Sequence, residues 1–64
     1  MITITEINPD EESKNTVINS DLILKIEYTP EDSYGKSIIY FQNNSLEIHV
    51  NETQDELKNL INNG

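Results

Sequence analysis

From residue 21 onward the chain alternates apolar and polar groups with a strand's period of two, breaks at turn-forming residues, and ends in a helical period. Few folds satisfy that succession in so short a chain. Asp21-Leu22-Ile23-Leu24-Lys25-Ile26-Glu27-Tyr28 alternates, as a half-buried strand does. Leu22, Leu24, Ile26 and Tyr28 share one parity and are the expected core face, because Lys25 and Glu27 share the other with Ile23. Ser37-Ile38-Ile39-Tyr40-Phe41-Gln42 is the next strand, and Asn43-Asn44 suits a two-residue hairpin turn. Leu46, Ile48 and Val50 then line one face of a further strand. Thr53-Gln54-Asp55-Glu56 has the spacing of a capping box, in which Thr53 and Glu56 satisfy each other's backbone N–H groups. Leu57, Leu60 and Ile61 form one apolar stripe on the helix that follows, and Asn62-Asn63-Gly64 suits its end. That helix is too short to stand alone and must pack on the sheet.

The first twenty residues add two shorter strands. Ile2 and Ile4 alternate with threonines, giving a strand over residues 2–7, and Thr16-Val17-Ile18 begins another over 16–19. The polar stretch from Asn8 to Asn15 reads as an enlarged first loop. Asn19-Ser20-Asp21 breaks the chain before a strand over 22–28, and Thr29 to Gly35 forms a loop before strands over 37–42 and 46–50 and a helix over 53–61. The expected fold is α+β and mainly β: a small curved antiparallel sheet of about five strands with one short C-terminal helix, in a single domain over residues 1–64.

Such a domain has a thin core. A chain of 64 residues buries only about 60% of its unfolded surface. Disulfides, metals or oligomerisation stabilise most scaffolds of this size. With no cysteine and one histidine, disulfides and the usual zinc sites are excluded, which leaves oligomerisation. The strand at 38–41 points the same way, since Ile39 and Phe41 oppose Ile38 and Tyr40 and both faces are apolar. A strand of that kind is normally covered on both sides. The face of Ile39 and Phe41 is therefore the expected surface for self-association.

Twelve acidic residues against four lysines give a net charge of −8. That charge disfavours nucleic acid and anionic membranes, and steers the protein toward a basic partner. No apolar run approaches a membrane span. The start of the chain, Met1-Ile2-Thr3-Ile4-Thr5-Glu6, lacks the pattern of a signal peptide and reads as the start of a cytoplasmic protein.

The candidate chemical groups are sparse. His49 is the single imidazole and shares the parity of Glu47, away from the core face, with no nucleophile indicated beside it. The carboxylates cluster at Asp10-Glu11-Glu12, Glu31-Asp32 and Asp55-Glu56. The first two clusters lack the spacing of a calcium loop, and the third suits the positive end of a helix. Tyr28 and Tyr40 are expected to cap the core, whereas Tyr34, beside Gly35, is the aromatic expected to be exposed as an interface anchor. With two glycines, far apart, the chain has no phosphate-binding loop. No enzyme, metal site or cofactor is expected. The interface candidates are Tyr34, Ile39, Phe41, Glu31, Asp32, Asp10, Glu11 and Glu12. The expected partners are a second copy of the chain and another protein, without direct binding to nucleic acid and without membrane insertion.

A wider pattern joins these pieces. Ile18-Asn19-Ser20-Asp21-Leu22-Ile23, followed by Lys25-Ile26-Glu27-Tyr28-Thr29-Pro30, resembles the signature of the FlbD/SwrD-type flagellar and swarming-motility proteins. Met1-Ile2 opens the chain as theirs open. Asn43-Asn44 stands where they carry Asn-Gly, and Val50-Asn51-Glu52-Thr53 where they carry Val-x-Glu-Ser. The resemblance covers residues 16–61 and departs from the pattern in a longer loop after Pro30 and in the missing turn glycine. It implies a compact β-rich fold and a non-enzymatic role in motility. The same pattern also suits a phage-encoded inhibitor that acts by acidic mimicry or by sequestering a host factor or signalling ligand, or a virion assembly component.

Overall fold

A computed structural model describes residues 1–31, 33–42 and 45–63. The elements run β1 (Ile2–Asn8), β2 (Glu11–Ile18), a 3-10 turn (Ser20–Leu22), β3 (Ile23–Tyr28), β4 (Ser37–Phe41), β5 (Glu47–Val50) and α1 (Gln54–Asn63). The strands form one antiparallel sheet in the order β2-β1-β5-β4-β3, with α1 after it in sequence and packed on one face. The fold class expected from the alternation is the one observed.

The topology makes the sheet curl. β2 and β3 are its two edges, yet only residues 19–22 separate them. Four strand spacings would hold the edges of a flat sheet about 19 Å apart. The chain from Ile18 to Ile23 reaches about 17 Å at full stretch, and here it is shortened by the 3-10 turn. Asn19 tightens that turn: its side-chain oxygen accepts from the Asp21 N–H at 3.0 Å and its carbonyl from the Leu22 N–H at 3.0 Å. The sheet therefore coils until its edges approach at this end, without pairing to close a barrel.

The concave interior holds Ile2, Ile4, Ile18, Ile39, Val50 and Leu57, with Ile23, Ile26, Phe41, Ile48, Leu60 and Ile61 packed against them. α1 delivers its expected stripe to that core. The capping box at its start is formed, with the Thr53 N–H donating to Glu56 Oε1 at 3.0 Å and the Glu56 N–H to Thr53 Oγ1 at 3.2 Å. The Thr53 backbone N–H, and after it the Thr53 hydroxyl, donate to the Glu56 carboxylate and hold it below the ordinary glutamate range.

Several expectations change. The stretch read as a first loop is mostly strand: β2 starts at Glu11, and Pro9-Asp10 alone turns the hairpin. Register carried this segment into the sheet, since Glu6 faces Lys14 and Ile4 faces Thr16 across the pair. The expected core face of β3 also fails. Ile23 pairs with Phe41 but Lys25 pairs with Tyr40, so Leu24 is an extra residue in a β-bulge. The bulge puts both Ile23 and Ile26 on the core side and turns Leu24 outward; Leu22, in the 3-10 turn before it, and Tyr28, which keeps the parity of Ile26 at the end of β3, are exposed as well. Ile39 and Phe41 are not an outer surface. Ile39 is fully buried opposite Ile26 and Ile48, and Phe41 packs against the same core. Leu46 lies before β5 and is exposed rather than part of the core. The expected turn at Asn43-Asn44 lies outside the described residues, as do Asp32 and Gly64.

Candidate protein-binding surface

With Ile39 and Phe41 turned inward, the large exposed apolar groups lie elsewhere. β3 carries Leu24 at 62% and Tyr28 at 75% exposure, and Leu22 adjoins them from the 3-10 turn. β3 is also an edge strand, so one side of its backbone lacks a neighbouring strand. The Thr29 N–H donates to the Lys36 carbonyl at 3.5 Å, which fixes the alternation: Glu27 and Lys25 also turn their backbone groups toward β4. Ile26 and Tyr28 turn theirs outward. Gln54, at the start of α1, partly covers this edge by donating Nε2–H to the Ile26 carbonyl at 3.4 Å. An edge strand with free backbone groups and exposed apolar side chains is a template for pairing with another chain. Residues 22–28 alone could not reveal it, because the bulge arises from pairing with β4.

The face of the sheet away from α1 is bound up in its own contacts. Tyr40 lies there, in register with Lys25 and Glu47. The Lys25 ammonium sits 4.8 Å from the centre of the Tyr40 ring and 3.6 Å from a Glu27 oxygen. Partial desolvation, and hydrogen bonds to the Glu47 and Glu27 carboxylates, push the Tyr40 hydroxyl up to about 12. Tyr40 is thus a hydrogen-bond donor here and not a reactive phenolate. Tyr28, expected to cap the core beside it, projects into solvent instead.

Tyr34 is less available than expected. Its ring stacks on His49, with centroids 4.1 Å apart and planes 22° from parallel, and it is 37% exposed. The Tyr34 carbonyl lies 2.9 Å from His49 Nδ1. A carbonyl can only accept, so Nδ1 carries the proton and Nε2 is the other ring position. Gly35 makes the loop possible. Its φ of 81° suits glycine, and a Cβ there would lie 2.9 Å from the Val50 carbonyl oxygen. The Lys36 N–H donates to that same carbonyl at 2.7 Å.

Topology keeps the acidic candidates apart. β1 and β4 run in the same direction, so the Pro9-Asp10 turn, which follows β1, and the loop after Tyr28, which precedes β4, lie toward opposite ends of the sheet. Asp10, Glu11, Glu12 and Glu31 are all exposed. Asp55 and Glu56 belong to the first turn of α1. Among the described residues, no His, Asp and Glu side chains group in a way that could hold a metal ion, and no helix is long and apolar enough to cross a membrane. No protein-family model matches the chain, and no curated protein or solved structure was found to be similar to it.

Proposed function

We propose that this chain is a non-enzymatic binding protein of the cytoplasm that associates through the outer edge of β3, with a second copy of itself and with another protein. The exposure of Leu24 and Tyr28 on an edge strand carries the reading. Apolar groups on such an edge gain from being covered, and a second β3 placed antiparallel about a two-fold axis covers both copies at once. The resemblance of residues 16–61 to the FlbD/SwrD-type proteins supports a motility setting for the assembly. Sedimentation at micromolar concentration tests the reading. The wild type is expected to associate and to remain associated at high salt, whereas Leu24→Lys is expected to sediment as a monomer with its fold intact. A monomeric wild type removes the self-association.

The exposed carboxylates of Asp10, Glu11, Glu12 and Glu31 favour a second reading, an inhibitor that presents anionic charge in place of a nucleic acid or another anionic ligand. Binding of that kind weakens steeply with salt. It would also be lost when Asp10, Glu11, Glu12 and Glu31 are changed to their amides, and would be indifferent to Leu24→Lys.

A further inference from the structure

A second stretch of open strand edge lies on the other side of the molecule, inside a groove. β1 pairs with β2 along its length but with β5 only at Glu6↔Val50. Beyond that pair the chain leaves the sheet: the Asn51 N–H donates to the Thr5 carbonyl at 2.9 Å, and the Thr5 N–H donates to the Glu52 carboxylate at 2.9 and 3.1 Å. Thr5 therefore turns its backbone toward β5. By the strand's alternation Thr3 turns its N–H and C=O the same way, where β5 has already ended. The space in front of Thr3 is a groove of about 630 Å³ between β1 and α1. Met1, Ile2 and Leu60 supply its apolar part, and Glu52 and Glu56 its charge. Among the described residues that line it, none has a cationic side chain.

We propose that this groove takes an extended basic peptide segment of a partner protein, which adds to β1 as a short strand in the line that β5 vacates. Three features fit that occupant together. The free N–H and C=O of Thr3 require an extended backbone to pair with. The volume lies within the range of ordinary ligand sites, roughly 300–1,000 Å³. The two carboxylates select lysine or arginine in the segment, on a protein whose net charge, with them included, is −8. An acidic segment meets repulsion at the same positions. The site is separate from the β3 edge, so either proposal stands if the other fails.

The test is a titration of the isotopically labelled protein with a capped peptide of alternating lysine and valine, followed by amide chemical shifts and hydrogen exchange. The expected result is a shift centred on Met1 to Thr3 and Leu60, with slowed exchange of the Thr3 N–H in the complex. A peptide of alternating glutamate and valine is expected to cause no such shift. Methylating the one backbone nitrogen that pairs with Thr3 is expected to weaken binding about three- to tenfold, the value of a single backbone hydrogen bond. Glu56→Gln, which keeps the capping geometry, is expected to weaken the lysine peptide while leaving the helix in place. Equal binding of the acidic peptide, indifference to methylation, or shifts centred on Leu24 and Tyr28 would each overturn the proposal. The N-methyl comparison alters only the ligand, so it decides the matter even if a protein variant fails to fold.

Discussion

Single residues packed around the junction of β5 and α1 carry measurable stability. Gly35 and Thr53 are the clearest cases. Gly35→Ala combines a positive φ with a Cβ 2.9 Å from the Val50 carbonyl oxygen, and is expected to cost about 1–3 kcal/mol in urea unfolding. Thr53→Ala removes one half of the capping box and is expected to cost about 1 kcal/mol. Leu57→Ala, in the fully buried centre of the core, is expected to cost about 2–5 kcal/mol. The two titrating residues give pH signatures of opposite sign. Glu56 has a lowered pKa, so its contribution is present above the ordinary value of 4.5 and is lost as pH falls through the lower folded value. Helical circular dichroism in acid, compared between wild type and Glu56→Gln, checks it. Tyr40 has a raised pKa, so its contribution is present below 10 and is lost as pH rises through about 12. Phenolate absorbance is expected to show a step near pH 12 that Tyr40→Phe deletes.

At the scale of elements, the bulge in β3 makes a sharper prediction than any side chain. Because Leu24 is the extra residue, deleting it restores regular alternation and keeps Ile23 and Ile26 on the core side. The deletion is expected to leave a folded protein. Deleting Ile26 instead brings a charged neighbour, Lys25 or Glu27, against the buried Ile39 and is expected to unfold the chain. Thermal unfolding of the two deletions separates them. The same bulge explains what the sequence could show. Strand positions, the helix and its cap were legible because each depends on local period and local turn chemistry. The faces of β3 and β4 were not. One inserted residue reverses parity for everything beyond it, and nothing in Leu22 to Tyr28 marks where the insertion falls. β2 was hidden for a related reason. Its polar residues gain strand structure from partners in β1, such as Glu6 for Lys14 and Thr5 for Asn15, and not from their own propensity. The candidate site moved with these errors: Ile39 and Phe41 lie inward and Leu24 and Tyr28 are exposed, while Asp10, Glu11, Glu12 and Glu31 are exposed as expected.

For the molecule as a whole, the two edges of the sheet face different requirements. Most of the β2 edge carries charged and polar residues, with Glu11, Glu12 and Lys14 along it and Val17 exposed near its end; charge of that kind is how edges resist chance pairing. The β3 edge carries apolar groups and is guarded only where Gln54 meets Ile26. Tyr28→Lys together with Leu24→Lys gives β3 the character of β2. Such a variant is expected to stay soluble and monomeric at concentrations where the wild type associates, as read by light scattering, with its unfolding transition retained.

The clasp between Glu52 and Thr5 also has a consequence for how the chain folds in time. β1 with β2, and β3 with β4 and β5, are each built from neighbours in sequence. β1 meets β5 and the residues just after it through the Glu6↔Val50 pair, the Asn51–Thr5 bond and the Glu52–Thr5 clasp, the last between residues 47 positions apart. Closing so large a loop is the slow, entropically costly part of assembly. The hairpin and the meander can therefore form first and dock along Glu6↔Val50 in the slow step, and the carboxylate fastens the docked pair afterwards. Glu52→Gln is expected to accelerate unfolding much more than it slows folding, the kinetic mark of a contact made after the rate-limiting barrier. In that sense Glu52 acts as a latch on the lifetime of the native state more than as a guide toward it.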